Sequence, residues 1–240
     1  MNVLKKLFDF SPKEVVPRPQ VPVSLSRAVW PLPLQQEHVE GCRMFADREG
    51  LIRFLKQYPH DMICEIGVEF GFFSDFLLKE LQPKRFDAYD LFDLHHYEHH
   101  GARKSADLLK GRTHLEYYRD KLASYADRCE IETFEGDSSR NLSSRPDAFY
   151  DLIYIDGDHT IDGAAKDTEQ AVLKVKPNGT LVFNDYIMWD CINWDGTAPK
   201  VTSYGVVQAA NELCVNHGWR MIGFALHGSM FCDVALRKTI

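Results

Sequence analysis

The chain has 240 residues, 45% of them hydrophobic, enough to bury a full core as one large catalytic domain. Its 28 Lys and Arg against 35 Asp and Glu give a net charge of −7, and no basic run is interleaved with aromatics. That balance argues against nucleic acid and for a small-molecule substrate.

Cys42, Cys64, Cys129, Cys191, Cys214 and Cys232 show no CxxC spacing and read as reduced core thiols. The start, MNVLKKLFDFSPKEVV, lacks a secretory pattern, and no apolar run is long enough to span a bilayer. The expectation is a soluble, cytoplasmic protein with no membrane partner.

Residues 1 to 40 read as a proline-rich N-terminal arm ahead of a domain over 41 to 240. Pro17, Pro19, Pro22, Pro31 and Pro33 prevent a regular helix, while Leu25, Trp30, Leu32 and Leu34 supply more apolar surface than a solvated leader keeps exposed. The arm is expected to pack on the domain, cover the site or join a second subunit in a homo-oligomer. A helix is expected over 47 to 58, ended by Pro59, then a buried strand over 62 to 66.

That strand runs into Glu65-Ile-Gly67-Val-Glu69-Phe-Gly71-Phe-Phe-Ser74 and a helix to about residue 81. A glycine turn between strand and helix lets a ligand approach the backbone, and the helix start offers free N–H groups. A second strand over 86 to 89 ends at Asp90, placed to accept hydrogen bonds from a ribose diol. A dinucleotide or another adenosine-containing cofactor satisfies that geometry. The dinucleotide pattern needs a glycine where Glu69 stands, and Glu65 adds a second carboxylate. Two acids repel a pyrophosphate but suit a cofactor with a cationic centre.

Residues 90 to 100, DLFDLHHYEHH, place His95 and His99, and His96 and His100, four apart. On a helix that spacing chelates a metal, but no Cys or further carboxylate completes a zinc set, so a solvated or substrate-facing loop is expected. Helices follow over 105 to 109 and 113 to 126, the second with a core stripe of Leu115, Tyr118, Leu122 and Tyr125. A strand over 129 to 134 ends in Glu135-Gly136-Asp137-Ser138, beside the adenine end of a cofactor, with a helix cap the alternative role for Ser138.

Residues 150 to 186 hold two short apolar runs, 152 to 155 and 180 to 183, around a helical pattern over 161 to 174. In such a unit the strands are parallel, so Asp156, Asp158 and His159 emerge at the same sheet edge as Asn184 and Asp185. Open α/β sheets bind ligands at that edge. The aromatic-rich loop over 186 to 199 reads as a lid or binding wall, followed by a helix over 204 to 216 and a strand pair over 219 to 224 and 229 to 237. The sum is an α/β, doubly wound Rossmann-like sheet of about seven strands, mostly parallel with an antiparallel last strand and helices on both faces.

EIGVEFG followed by Ser74, the acid Asp90, the EGDS block, IDGDHT and KPNGTLVFNDY together resemble the class I S-adenosylmethionine-dependent methyltransferases. More narrowly, the chain resembles the metal-dependent small-molecule O-methyltransferases, above all the macrocin and mycinose-type sugar methylases, over residues 61 to 237. The resemblance implies S-adenosylmethionine, with Glu65, Gly67 and Gly71 around its methionine part, Ser74 among the cofactor-binding residues, Asp90 at its ribose, and Asp137 and Ser138 at its adenine. It makes Asp156 both a cofactor neighbour and, with Asn184 and Asp185, a ligand of magnesium or another divalent cation that holds the acceptor oxygens.

The resemblance leaves the catalytic base open between Asp158 and His159. Where the sugar branch often has two successive aspartates, this chain has Asn184 and then Asp185, one negative charge fewer. The implied activity is O-methylation of a hydroxylated small molecule, in the branch it most resembles a sugar or sugar-bearing metabolite. A nicotinamide-dependent oxidoreductase and a non-catalytic binding protein on the same fold are the alternatives.

Overall fold

A computed structural model describes residues 21 to 187, 204 to 228 and 231 to 238. Its strands are β1 Arg43–Phe45, β2 Met62–Ile66, β3 Arg85–Asp90, β4 His99–His100, β5 Arg103–Lys104, β6 Glu130–Glu135, β7 Tyr150–Ile155, β8 Val175–Phe183, β9 Trp219–Ala225 and β10 Asp233–Lys238. Its helices are α1 Gln36–Val39, α2 Arg48–Leu55, α3 Phe72–Leu81, α4 Ser105–Leu108, α5 His114–Leu122, α6 Ser138–Ser143, α7 Ile161–Lys174 and α8 Val206–His217. The lid expected over 186 to 199 falls almost wholly outside the described residues.

The main sheet has eight strands in the order β1-β9-β10-β8-β7-β2-β3-β6, one more than the seven expected. The extra strand is β1, which pairs parallel with β9 through Arg43↔Gly223 to Phe45↔Ala225. Three residues, two of them with exposed side chains, are too short a run to show a period, and β1 is held by its backbone pairing and by Phe45, which packs on Phe54. β10 runs antiparallel to both β8 and β9, as its hairpin spacing predicts. A separate two-residue pairing of β4 with β5 holds His99 and His100.

Alternation along the central strands sends side chains to two cores. Ile153, Ile155, Leu181 and Phe183 join the core under α7 and α8, while Leu152, Tyr154 and Val182 join the one under α2, α3 and α5. Every residue of β7 is buried, the mark of a strand covered on both faces.

From β2 the chain winds outward through β3 and β6, then returns to start β7 on the other side of β2 and continues to β8. The order therefore reverses between β2 and β7, and the crevice beyond their C-terminal ends is the expected ligand position.

Residues 21 to 34 lie across α7 and α8. Leu25 is buried, and the Leu25 and Ser26 N–H groups donate to the Glu169 and Glu212 carboxylates at 2.7 and 2.8 Å. Gln208 and Asn211 donate to the Val29 and Leu32 carbonyls, both at 2.7 Å. Cys42, Cys64, Cys129 and Cys214 are free thiols, and among the described residues no helix is long and apolar enough to cross a membrane.

Candidate active site

Gly67, at the end of β2, sits at φ +79°, and a Cβ there would lie 1.9 Å from the Asp156 carbonyl oxygen at the end of β7. Only glycine lets the two strand ends close on one another. Gly71, at φ +67°, starts α3, and a Cβ there would lie 2.8 Å from the Tyr118 ring. Between them the loop is tied to Asp90, whose Oδ2 accepts the Val68 and Glu69 N–H groups at 2.8 and 3.2 Å and whose Oδ1 accepts that of Phe92 at 2.8 Å.

Beside this loop a cavity of about 680 Å³ is lined by Gly67, Glu69, Asp90, His114, Asp137, Ser138, Asp156 and Asp158, among others. Its size is that of a cofactor site. Of the residues expected around a cofactor, Gly67, Asp90, Asp137, Ser138 and Asp156 line it, and Glu65, Gly71 and Ser74 do not. Glu65 is buried behind the loop, where it accepts from the Ser74 hydroxyl at 2.5 Å, which accepts in turn from Tyr118 at 2.9 Å. Burial lifts the Glu65 carboxyl well above the usual carboxylate range. The trio ties β2 to α3 and α5 from behind the loop.

At the far wall the helix cap is Asp137. Its Oδ1 accepts the Arg140 N–H at 2.7 Å and the Ser139 hydroxyl at 2.8 Å, bonds that hold its carboxyl below the usual range. Ser138, for which a cap was the alternative role, is the first residue of α6 and donates to Asp167 Oδ1 at 2.6 Å. Burial pushes the Asp167 carboxyl up to about 6.

On the acceptor side His159 stands between two acids, its Nε2 lying 3.4 Å from Asp156 Oδ1 and 3.6 Å from Asp185 Oδ2. Its ring stacks on Tyr204 at 5.0 Å and 17°. Burial works against its proton, but Asp156 and Asp185 outweigh burial and raise its pKa above the ordinary histidine value. Burial also raises the pKa of Asp156 and Asp185, against the pull of His159 and of Arg48. Arg48, on α2 with its guanidinium 4.2 Å over the Phe73 ring, was not singled out from the sequence. Asp158 is engaged locally, its Oδ1 accepting the Thr160 N–H at 2.9 Å as the chain turns into α7.

Asn184 is buried, and its Nδ2 donates to Asp233 Oδ1 at 3.0 Å, while Asp233 Oδ2 accepts from the Tyr154 hydroxyl at 2.7 Å. Burial pushes the Asp233 carboxyl up to about 7. Asp185 takes a left-handed backbone, φ +55°.

Asp156, Asn184 and Asp185 are the ligands the resemblance implies for a divalent cation. A hard dication takes six or more oxygens. Here an imidazole lies between the two carboxylates and the Asn184 amide is bonded inward to Asp233. Among the described residues no group of three His, Cys, Asp or Glu is arranged to hold a metal. As the side chains stand, the set does not fit magnesium.

The histidine-rich stretch flanks the glycine loop instead. His95 and His96 lie in a 3-10 turn, Leu94–His96, with ring centres 4.0 Å apart, and His100 Nε2 is 2.8 Å from Glu69 Oε1.

A family model for a methyltransferase domain matches residues 64 to 186, just over half of the chain and the stretch that carries most of this cavity. A search of the curated proteins returns no match. Among solved structures, the O-methyltransferase from Bacillus cereus in complex with SAH is similar at a TM-score of 0.54 and 14% identity, covering 80% of this chain and 80% of that one. SAH-bound PaMTH1 from Podospora anserina gives 0.51 and 14%, covering 80% and 78%. The N-methyltransferase NodS from Bradyrhizobium japonicum gives 0.50 and 14%, covering 80% and 95%. At these identities the likeness is one of fold, and it spans both oxygen and nitrogen acceptors. The family match displaces the nicotinamide reading: the chain belongs to the methyltransferase-domain family and is an S-adenosylmethionine-dependent methyltransferase.

Proposed function

We propose that the enzyme transfers the methyl group of S-adenosylmethionine to a hydroxyl oxygen of a small molecule, with His159 taking the hydroxyl proton. One observation carries this reading: the His159 imidazole stands between Asp156 and Asp185, and Asp156 is itself a wall of the cavity. The donor reading is supported by the family match and by the SAH held in two of the similar structures.

In this reading the donor's ribose lies at Asp90, its adenine at Asp137 and Ser138, and its methionine part near the seam of Gly67 with Asp156. The acceptor oxygen sits between the donor methyl and His159. As His159 takes the proton, an oxygen lone pair forms the new O–C bond, the C–S bond breaks, and its electron pair stays on sulfur as the neutral thioether. Asp156 and Asp185 orient the ring and stabilise the imidazolium that forms, the role an aspartate plays beside a catalytic histidine elsewhere. Asp158 suits the task less, since its carboxylate is engaged by the Thr160 N–H. A sugar-type acceptor is the substrate class that the sequence resemblance favours.

The test offers a panel of polyhydroxylated and phenolic acceptors with methyl-labelled donor and follows labelled products by mass spectrometry. Labelled ethers, lost in His159→Gln while the variant still binds donor, support the reading. Label appearing only on nitrogen, or a His159→Gln variant as active as wild type, overturns it. A metal-assisted version remains specific enough to separate: Asp156 and Asp185 do lie on one edge, and it requires that a chelator abolish turnover.

A further inference from the structure

Arg48 reaches the acceptor edge from the far end of the sheet. β1 runs parallel to β9, which is antiparallel to β10, which is antiparallel to β8, so β1 ends at the same edge as β7 and β8. The turn after β1 therefore delivers Arg48, the first residue of α2, to the edge that carries Asp156 and Asp185. Its guanidinium sits 4.2 Å over the Phe73 ring, and Phe73 packs on Tyr154 with ring centres 4.5 Å apart. A cation in the first turn lies at the positive end of the helix dipole, a placement the helix itself disfavours. Burial opposes the charge as well, but Tyr154, Asp233 and Asp156 raise its pKa above the ordinary arginine value. None of the neighbouring acids closes an ion pair with it among the described residues: Asp156 and Asp185 face His159, and Asp233 accepts from Asn184 and Tyr154. The half-buried guanidinium thus brings to this edge a fixed charge and a planar fork of N–H donors that no carboxylate of the fold takes up.

We infer that Arg48 binds a carboxylate carried by the acceptor, so that the substrate is a hydroxy acid whose hydroxyl reaches His159 while its carboxylate lies on the guanidinium. This rests on the hydroxyl-acceptor reading given above. The planar fork matches a carboxylate through two parallel bonds. A phosphate suits the place less, because its second negative charge would stand near Asp156, Asp185 and Asp233. A sugar acid joins the carboxylate to the polyhydroxylated acceptor class already favoured.

The test gives the full chain methyl-labelled donor with matched acceptors that differ in charge: glucose, glucuronate and a glucose phosphate, and catechol with protocatechuate. In the wild type, kcat/KM for the acid of a set should exceed that for its neutral member about thirtyfold, the worth of one charge-assisted contact. In Arg48→Gln that ratio should fall to about one, through KM for the acid, and Arg48→Lys should restore part of it. An arginine that only offsets the nearby acids would slow acid and neutral acceptors alike, so an unchanged ratio in Arg48→Gln overturns the inference. If that variant does not fold, the wild-type ratios and Arg48→Lys decide. A wild type that methylates the neutral member or the phosphate as well as the carboxylate also overturns it, and leaves the hydroxyl reading standing. Label that reaches only nitrogen, or no acceptor, removes both.

Discussion

Around Gly67 the site is held mainly by the main chain: a glycine pressed on the Asp156 carbonyl and loop N–H groups gathered by Asp90. Around His159 it is held by side chains, an imidazole between two carboxylates with Tyr204 stacked on it. A main-chain cradle is shared by any member of a fold and tolerates little change, because its geometry is set by sterics. A side-chain cluster is specific to one chain, and removing one member changes chemistry more than structure. The two halves should therefore fail differently.

The largest effect is expected on the acceptor half. His159→Gln should lower kcat about a thousandfold, within the range of a lost general base, and leave the affinity for S-adenosylhomocysteine within about twofold of wild type. Kinetics alongside calorimetric titration check both numbers. Gly67→Ala should do the reverse, costing roughly 3 kcal/mol of stability or more from the clash and the left-handed backbone, and weakening donor binding with it. Urea denaturation reads the first loss and the same titration the second. If Gly67→Ala spared donor affinity, the claim that the main chain builds the donor half would fall.

A third prediction concerns Asp167, which lies behind the cavity and accepts from the Ser138 hydroxyl of its wall. The Asp167 carboxyl is raised to about 6 in the folded protein, against about 3.9 in an unfolded chain. For a raised carboxyl the stabilising contribution is full below the unfolded value and is lost as pH rises through the folded one. Asp167→Asn should remove that loss, gaining up to about 3 kcal/mol at pH 8 and close to nothing at pH 4. Urea melts at the two pH values decide it, and an equal change at both would show that packing, and not titration, governs the site.

The smallest effect belongs to the N-terminal strap. Arg27 pairs with Glu169 at 2.6 Å on a partly exposed surface, so Arg27→Ala should cost under about 1 kcal/mol and leave both kcat and donor affinity unchanged. A large drop in turnover would tie the strap to the acceptor half.

What the sequence showed, and what it hid, follows the same division. The glycine loop, Asp90 and the ends of β7 and β8 were legible because each is a local pattern: a strand run, a breaker, a polar residue at a fixed offset. Which way Glu65 faces depends on the pleat of β2, which puts Cys64 and Ile66 in one core and Glu65 toward α3 and α5. His114, Arg48 and Asp167 enter the site through contacts with residues far away in the chain, which no local pattern records. The sequence placed Asp156, Asn184 and Asp185 at one edge but not the inward turn of Asn184 or the entry of His159 between the acids. β1 was hidden because three residues are too few to show a period, and both its backbone pairing with β9 and the packing of Phe45 on Phe54 are contacts with other elements.

The central claim is that the acceptor half works through an imidazole standing between two carboxylates. It is tested most directly by the rate of labelled methyl transfer by the chelator-stripped full chain, before and after magnesium is added. The account predicts a rate unchanged by magnesium and about a thousandfold lower in His159→Gln. A rate that appears only with magnesium and survives in His159→Gln would contradict it.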